Sequence, residues 1–434
     1  MRTIISLFLF FVLSVPSFAD LPWLKVSGLN IVNQNGQKIT LNGINLSNNV
    51  WGYWITGVSD SLESQGNDPM IRPQVQDDWV LTAADFERLK ELGPKVVRYA
   101  INNELFSLDN PFKEANLAKL KQHIKKFDQL GIYVVVSLHN PKGLDVQNDN
   151  FERDKPVKTR LKSIFEDQNY WQDTLVMWQY LAKNLKDQPG VAGYYLFNEP
   201  RLPSDADGGI KEYTRKNNEL CAAIRAVDKK HIIFVPEYNS RERNANEDGG
   251  IQSVVWERGF VKVNDNNVVY AFSFYEPYEF THLGRANYDK VAVEKYLQDR
   301  VEWAKTVGQA PIIVAEYGLD REQTIERKVE YLKHVHALFK KYNLSAIYWE
   351  YKNAVAAFSK PLWIASLYGE LTEKHQIIYN PDGTYQFQPW AEKAAKENKF
   401  DQLYEKYFWK NKTNVSLMDN QPIWDELQRF YQDK

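Results

Sequence analysis

The sequence predicts an α/β fold, a (β/α)8 TIM barrel with an N-terminal hairpin and a C-terminal helical extension. Short apolar, β-branched runs alternate with amphipathic helical patterns, which favours a parallel sheet. The runs are apolar almost without interruption, as expected of strands that are covered on both faces. There are eight runs, the number of strands that closes a barrel. They are Ile39–Leu46, Val96–Ile101, Ile132–Leu138, Val191–Phe197, Ile232–Pro236, Val268–Tyr275, Ile312–Ala315 and Ser345–Trp349.

An open doubly wound sheet is the alternative fold. It would carry a glycine-rich phosphate-binding turn after its first strand. The first run instead leads into Ser47-Asn48-Asn49-Val50-Trp51, which contains no glycine. The chain also lacks repeats, low-complexity tracts and Pro/Ser-rich linkers. We therefore expect one barrel domain over residues 20–400 and a helical extension over residues 401–434 that packs on it.

Residues 1–19 have the features of a signal peptide. Arg2 supplies a positive charge, Ile4–Val15 is apolar, and Ser17-Phe18-Ala19 offers small residues for cleavage. The apolar stretch is too short to span a bilayer. We expect the protein to be secreted, extracellular or periplasmic, with a mature chain that begins near Asp20. A retained anchor is the alternative.

The elements that precede the second strand can be read in order. Leu24–Val32, the turn Asn35-Gly36 and Ile39–Leu41 predict a hairpin that plugs the barrel floor. The first helix is expected to begin at the capping box Thr82-Ala83-Ala84-Asp85 and to end at Gly93-Pro94.

The helix after the second strand has a clear apolar face and a clear end. It is expected to end at Leu130-Gly131, where glycine suits the left-handed conformation that closes helices. The apolar face consists of Leu117, Leu120, Ile124 and Phe127.

The composition narrows the possible partners. The net charge is −2 and the charges are dispersed, which argues against nucleic acid and against an anionic membrane as partners. Aromatic residues reach 14%, which fits either a large core or platforms for stacking sugars. Cys221 is the single cysteine, so no intramolecular disulfide can form. The seven histidines are scattered, so we expect no metal and no cofactor. We also expect a monomer that makes no membrane contact once the signal peptide is removed.

Charged residues stand at the carboxyl ends of the predicted strands, where barrel enzymes carry their chemistry. Glu199 ends the fourth strand in Asn198-Glu199-Pro200, and Glu316 ends the seventh. Strands four and seven lie on opposing sides of the barrel mouth, so the two side chains can converge. Glycoside hydrolysis needs such a pair, with one carboxyl protonated as an acid and the other ionised as a nucleophile. The alternative is that each glutamate pairs with a neighbouring Lys or Arg.

Two further strand residues point to the same site. Arg98 interrupts the second strand, and a permanent cation there needs an anion. Contact with Glu316 would lower the pKa of that carboxyl and keep it ionised, whereas a salt bridge to another acid is the alternative. His139 closes the third strand and could orient the site, or it could be a hydrogen-bonded core histidine.

Together these residues resemble glycoside hydrolase family 5, a family of (β/α)8 retaining glycosidases that includes cellulases. The resemblance runs from Gly36 to Trp349 and depends on Asn-Glu-Pro at the fourth strand together with a Glu at the seventh. It implies that Glu199 is the general acid/base and that Glu316 is the nucleophile. It also implies five substrate-binding or supporting residues: Arg98 and Tyr275 bonded to Glu316, His139 beside the scissile bond, Asn198 on the sugar 2-hydroxyl and Trp349 under the sugar ring.

The resemblance implies a retaining hydrolase of a β-linked polysaccharide or oligosaccharide, with β-1,4-glucan as the expected substrate. A mannanase or another hemicellulase of the same family is one alternative. A glycan-binding barrel with weakened catalysis is a second, and a metal-dependent barrel hydrolase is a third. The loops that select the sugar, such as Gly143–Pro156 and Asp205–Lys211, have conformations that the sequence does not define.

One position departs from the family pattern. Bacterial members carry a His two residues before the Tyr of the sixth strand, and this chain has Ser273 there. The exchange puts either full activity or the usual substrate in doubt. Glu237 could bond a sugar hydroxyl or be a charge on the barrel rim. Further candidates for sugar platforms, or for packing under loops, are Trp51, Tyr53, Trp54 and Tyr238.

Overall fold

The computed structural model describes residues 21–46, 81, 83–141, 164–200, 202, 206–245, 251–281, 287–319, 324–351, 377–379, 385–387 and 417–432. Several predictions lie outside the described residues: the signal peptide, the capping residue Thr82, the loop Gly143–Pro156 and the candidate platforms Trp51, Tyr53 and Trp54.

Eight parallel strands close into a barrel in chain order, and the last strand pairs with the first. The predicted TIM-barrel fold is therefore confirmed. The barrel strands, one to eight, are Gly43–Leu46, Val96–Asn102, Tyr133–Asn140, Val191–Tyr195, Ile232–Pro236, Val268–Phe274, Ile312–Tyr317 and Ser345–Tyr348.

Side chains along each strand alternate between the barrel interior and the surrounding helices, because successive residues of a strand point to opposite faces. The interior layer near the floor is apolar and buried, and it includes Val96, Tyr133, Ile232, Val269 and Ile313. The alternate residues join a larger cluster with the helices. The strand ends, above the filled interior, are thus the place where polar side chains can converge.

A hairpin covers the barrel floor, as predicted. Its strands are Leu24–Ser27 and Asn30–Asn33, and Leu24 and Ile31 pack into the interior cluster. The predicted turn at Asn35-Gly36 is present as a second turn, with Gly36 at a φ of 77° and Val32 paired antiparallel with Lys38, but the predicted run Leu24–Val32 is not one strand. The turn between the two hairpin strands lies at Gly28-Leu29, where Gly28 adopts a φ of 55°.

Helices flank the barrel. Gly93 and Gly131 close the first two helices with φ values of 81° and 73°, as predicted. A 3-10 turn, Asn103–Phe106, and a π-helical turn, Ala304–Gly308, also occur. The α-helices are α1 Ala83–Leu92, α2 Lys113–Gln129, α3 Gln168–Leu185, α4 Ala206–Arg225, α5 Tyr278–Thr281, α6 Lys290–Trp303, α7 Ile325–Tyr342 and α8 Leu417–Gln432.

The connection after the fifth strand contradicts the predicted strand–helix alternation. A two-stranded antiparallel hairpin, Tyr238–Ala245 paired with Ile251–Gly259, leads on to the sixth strand, and the described part of this connection contains no helix. Phe260 packs on the outer face of the sixth strand instead, with its ring centroid 6.0 Å from that of Tyr270 and 6.1 Å from that of Phe272. We call this element the strand-five hairpin.

The C-terminal helix α8 packs between α7 and α1. Phe430 stacks on His336 of α7 with ring centroids 4.0 Å apart, and Gln428 donates to the Glu91 carbonyl of α1 at 2.8 Å. This helix therefore fills the place of the eighth helix in the ring. Within the described ranges, no helix has the length and apolar character needed to cross a membrane. A small sheet, Ile377–Tyr379 with Tyr385–Phe387, lies between the eighth strand and α8 in sequence.

Candidate active site

Arg98 forms the centre of a polar cluster at the carboxyl ends of the strands. Its side chain lies inside the barrel two residues above Val96 and is fully buried. It donates to Glu316 Oε1 at 2.6 Å, to Asn198 Oδ1 at 2.7 Å and to Asn45 Oδ1 at 3.0 Å. Strands one, two, four and seven are thus joined through one guanidinium group.

Glu316 points into the barrel because the seventh strand contains a bulge. Ile313 and Ala315 face the interior, whereas Val314 and Tyr317 face the helices. Simple alternation would turn Glu316 outward as well. The register shifts against both neighbouring strands at this point, which directs two consecutive side chains inward.

Both oxygens of the Glu316 carboxylate are held. Arg98 bonds Oε1, and the Tyr275 hydroxyl donates to Oε2 at 3.1 Å. The predicted convergence of Arg98 and Tyr275 on Glu316 is present in the structure. A carboxylate fixed at both oxygens presents a defined orientation to any group above it.

The expected net effect on the ionisation of Glu316 was wrong. Burial raises the pKa of the Glu316 carboxyl to about 7, and the nearby Glu199 carboxylate adds to the rise. Arg98 and Tyr275 lower the pKa, as anticipated for Arg98, but burial outweighs them. Glu316 is therefore held close to its point of ionisation at neutral pH.

Glu199 follows the fourth strand in an uncommon conformation. Its φ is 39°, in the left-handed region, which costs a non-glycine residue roughly 1–3 kcal/mol. Backbone hydrogen bonds hold the chain on both sides of it: Asn198 donates to the Leu138 carbonyl at 2.8 Å, and the Pro200 carbonyl accepts from Asn239 at 2.8 Å. The surrounding strands thus impose the orientation of Glu199.

His139 and Trp349 form one wall of the cluster. Their rings stack with centroids 5.1 Å apart, and both side chains are buried. Because Asn198 accepts from Arg98 through Oδ1, its amide nitrogen faces His139 Nε2, at 3.0 Å. Nε2 therefore accepts and the ring is neutral, in keeping with burial and Arg98, which hold the pKa of His139 well below its ordinary value.

Three further residues that the sequence singled out are buried in the structure. Glu237 pairs with Arg300 of α6 at 2.8 Å, so it is a buried ion-pair partner at the barrel rim. Tyr238 is buried with its ring 6.2 Å from that of Tyr213, which favours packing over sugar stacking. Ser273 is buried in register with Glu316 on the adjacent strand.

Two contributors were not recognised from the sequence. Asn45 accepts from Arg98 and donates to the Ala315 carbonyl at 3.0 Å, beside the bulge that carries Glu316. Tyr195 lies under the Arg98 guanidinium, 4.1 Å from it. An asparagine within the apolar first strand was the available signal for Asn45; nothing distinguished Tyr195 from other core tyrosines.

The described residues contain no group of three His, Cys, Asp or Glu side chains placed to hold a metal ion. The cluster instead brings two glutamates, a buried guanidinium, a tyrosine hydroxyl and a histidine–tryptophan wall to one mouth of the barrel. Such a set can polarise and attack a bond without a metal, by proton transfer and nucleophilic displacement.

Comparison with known proteins finds one matching family model and several similar enzymes. The family model for cellulase (glycosyl hydrolase family 5) matches residues 32–355. A β-xylosidase of Phanerodontia chrysosporium is 25% identical over 91% of this chain and 87% of that protein. Endoglucanase C of Acetivibrio thermocellus is 23% identical over 47% of this chain, and the match spans 53% of the endoglucanase.

A solved structure shares the fold. Thermotoga maritima Cel5A, determined in complex with mannotriose, superposes with a TM-score of 0.51 at 21% identity. The superposition covers 72% of this chain and 90% of that structure.

Proposed function

Because the chain belongs to glycosyl hydrolase family 5 and is a glycosidase that hydrolyses O-glycosyl compounds, we propose that it cleaves a β-1,4-linked glucan with retention of configuration. Glu316 is the proposed nucleophile and Glu199 the proposed acid/base. The observation that carries this proposal is the Glu316 carboxylate, held at one oxygen by Arg98 and at the other by Tyr275.

The reaction divides into two displacements at the anomeric carbon. In the first, ionised Glu316 forms an ester bond to that carbon as the glycosidic bond breaks, and Glu199 gives its proton to the leaving oxygen. In the second, Glu199 takes a proton from water, the water oxygen bonds to the anomeric carbon, and the ester bond to Glu316 breaks. Two inversions restore the original configuration. We expect the two carboxyl groups to lie ~5–5.5 Å apart, as this mechanism requires.

The remaining cluster residues would bind the sugar beside the scissile bond. Asn198 has its oxygen on Arg98 and one amide hydrogen directed at His139, so a second amide hydrogen is available for the sugar 2-hydroxyl. Trp349, stacked on His139, would form the apolar platform for the sugar ring.

A β-1,4-linked xylose substrate is the second candidate. The P. chrysosporium β-xylosidase aligns along 91% of this chain, whereas the endoglucanase aligns along 47%. Mannan is a further possibility within the family, since the Cel5A structure carries mannotriose. A barrel with weakened catalysis would follow only from Ser273, and the held carboxylate of Glu316 argues against it.

One screen separates these substrates. Purified protein is assayed for reducing sugar on carboxymethylcellulose, mixed-linkage glucan, mannan and xylan, with xylobiose as the probe of exo-acting xylosidase activity. Proton NMR of the first product reports its configuration. We expect a β-anomer first; an α-anomer, or no hydrolysis of any of these glycans, would overturn the proposal. Chelator should leave the rate unchanged.

We also propose export of the protein through residues 1–19 and a monomeric barrel domain over residues 20–400 with its extension over residues 401–434. N-terminal sequencing of material outside the cytoplasm should begin near Asp20, and light scattering should give the mass of one chain. Retention of Met1 on that material would contradict the signal-peptide interpretation.

A further inference from the structure

Tyr317, the residue after the proposed nucleophile, is anchored on the outside of the barrel. Its side chain faces the helices, and its hydroxyl lies 2.9 Å from Nε2 of His336 on α7. The two rings meet edge to face with centroids 5.6 Å apart. The backbone carbonyl of Tyr317 accepts from the Trp349 nitrogen at 2.8 Å. One residue thus connects the strand that carries Glu316, the proposed sugar platform and a surrounding helix.

His336 is in turn held by the C-terminal helix α8. Its Nδ1 lies 2.7 Å from Glu426 Oε1, and Phe430 stacks on the imidazole with the ring planes 5° apart. Arg429 donates to both oxygens of Glu426, at 2.6 Å and 2.9 Å. The side chains of His336 and Glu426 are buried. The match to the family model ends at residue 355, so α8 lies outside the part of the chain that the model covers.

The ionisation of Glu426 sets the direction of these hydrogen bonds. Burial raises the pKa of Glu426, but the bonds from His336 and Arg429 outweigh it and hold the pKa at about 2. Burial lowers the pKa of His336, and Glu426 offsets only part of this effect, so the imidazole is neutral at neutral pH. Since an ionised carboxylate only accepts, Nδ1 carries the proton and donates to Glu426. Nε2 therefore accepts from the Tyr317 hydroxyl.

The Tyr317 anchor acts at the bulge of the seventh strand. Ala315 and Glu316 both point inward there, and Tyr317 is the first residue beyond them that points outward. The bulge interrupts the regular ladder, so backbone pairing alone sets the register less strongly at this point. Because neighbouring strand residues point to opposite faces, fixing Tyr317 outward fixes Glu316 inward, and a slip of one residue would reverse both.

We propose that Tyr317 is a positioning residue for Glu316 and that the C-terminal helix holds it in place through His336. This inference rests on the proposed function, in which the Glu316 carboxylate attacks the anomeric carbon. Arg98 and Tyr275 bond that carboxylate from inside the barrel, whereas the Tyr317 anchor holds the backbone from outside. Misplacing a reacting group by about 1 Å can cost about a hundredfold in rate. Loss of the anchor should therefore slow the first displacement while the nucleophile remains present.

The test removes single bonds of this chain. Tyr317→Phe keeps the ring but loses the hydroxyl, and His336→Phe keeps a flat ring against Phe430 but loses both nitrogens. On 4-nitrophenyl β-cellobioside, with the β-xylobioside in parallel, each variant should lower kcat about five- to fiftyfold with KM within about threefold. Inactivation by the matching 2,4-dinitrophenyl 2-deoxy-2-fluoroglycoside, which forms the ester to Glu316 and hydrolyses it slowly, should slow by the same factor.

A conservative change in α8 tests the remote end of the chain of bonds. Glu426→Gln keeps an oxygen that accepts from His336 Nδ1 and should retain kcat within about twofold. Glu426→Met removes that acceptor and should lower kcat. Equal activity of Glu426→Gln and Glu426→Met, both at the wild-type level, would overturn the part of the proposal that concerns α8.

Tyr194→Phe is the matched control for stability. Tyr194 lies on the fourth strand, and its hydroxyl is bonded to Asp228 at 2.7 Å and to the buried His231 at 3.2 Å, toward the barrel floor. Urea titration should show a lower free energy of unfolding for Tyr317→Phe and Tyr194→Phe alike, whereas kcat should fall in Tyr317→Phe alone. An equal loss of kcat in both variants would mean that the hydroxyl of Tyr317 acts only on stability, and the positioning role would be wrong.

A separate measurement keeps failure of this inference apart from failure of the proposed function. Glu316→Ala supplied with azide and an activated β-glycoside should give the α-glycosyl azide, because azide bonds to the anomeric carbon from the face of the missing carboxylate as the bond to the leaving oxygen breaks. Absence of that product would overturn the assignment of Glu316 as the nucleophile. Its formation, together with unchanged kcat in both Tyr317→Phe and His336→Phe, would overturn the role of Tyr317 alone.

Discussion

Two buried carboxylates, one at each end of the barrel, have opposite electrostatic environments. Asp228, at the amino end of the fifth strand, lies 2.5 Å from His231 Nδ1 and accepts from the Tyr194 hydroxyl at 2.7 Å and the Lys230 backbone nitrogen at 2.8 Å. Burial raises the pKa of Asp228, but these bonds outweigh it and hold the pKa at about 2.

Glu316, at the mouth, has fewer donors and a like charge nearby. Arg98 and Tyr275 bond it, while burial and Glu199 raise its pKa to about 7. The number of donors and the sign of the neighbouring charge decide the outcome, since both carboxylates are buried. The floor holds a carboxylate that stays charged and stabilises the fold, and the mouth holds one poised to change charge.

Removing the mouth carboxylate should have the largest effect on activity. Glu316→Gln lacks the nucleophile, so we expect kcat/KM to fall by roughly 10⁴-fold or more, as for loss of other catalytic nucleophiles. Steady-state kinetics on the best glycan of the screen measures this. Near-normal turnover in Glu316→Gln would sink the assignment of Glu316.

Removing the floor carboxylate should act on stability instead. Asp228→Asn leaves the His231 and Tyr194 donors without an anion in a buried site, which should lower the free energy of unfolding by about 3–5 kcal/mol. Urea titration followed by tryptophan fluorescence measures the change. The folded variant should keep kcat within about threefold, because Asp228 lies away from the mouth; a large loss of kcat at unchanged stability would break the contrast between the two ends.

The sequence was sufficient to predict the barrel and the residues that meet at its mouth. The apolar runs predicted the barrel, and the strand-end positions placed Arg98, Asn198, Tyr275 and Glu316 at one mouth, because parallel strands of a barrel end at one face. The contact of Tyr275 with Glu316 was implied only by the family resemblance. Two features of the site could not be predicted from the sequence. The bulge that turns Glu316 inward is a register shift without its own residue signature. The pKa of Glu316 depends on burial, which is a property of the assembled fold.

Substitution of Ser273 tests whether the barrel mouth can hold a larger side chain that contacts the sugar. Ser273 lies in register with Glu316, at the position where the family resemblance implies a histidine, and it is buried. If the serine leaves a sugar contact unmade, Ser273→His should raise kcat/KM on a β-glucan about ten- to a hundredfold, equivalent to roughly 1–3 kcal/mol.

The matched control lies one layer deeper on the same strand. Ala271 faces the apolar interior, so Ala271→His should unfold the barrel whereas Ser273→His should not. Steady-state kinetics measure kcat/KM, and urea titration measures the free energy of unfolding of both variants. A loss of activity on every glycan in Ser273→His would mean that the serine belongs to a co-adapted site.

The smallest signal we expect is a pH-dependent difference in stability between the wild type and Glu316→Gln. In the folded chain the pKa of Glu316 is raised to about 7, whereas an unfolded Glu titrates near ~4.3. The stabilising contribution of this carboxyl is therefore complete below about pH 4 and is lost as the pH rises through 7. Activity should change in the opposite sense, with kcat/KM falling about tenfold per pH unit below 7 as the nucleophile is protonated.

Thermal unfolding at pH 5 and pH 8 measures the stability part. The Tm of the wild type relative to Glu316→Gln should fall by a few degrees between these two values, because about 2 kcal/mol moves the Tm of a chain this long by only a small amount. Asp228→Asn is the control: since the folded pKa of Asp228 is lowered to about 2, the contribution of this carboxyl is lost only as the pH falls from about 4 through 2, and its own ionisation should add no pH dependence to the Tm difference between pH 5 and pH 8. The contrary result would be a Tm difference between wild type and Glu316→Gln that is the same at pH 5 and pH 8, together with wild-type activity that persists to pH 5. In that case Arg98 keeps Glu316 ionised over this range. The carboxylates of Glu316 and Asp228 would then not differ in ionisation as their hydrogen-bond donors indicate.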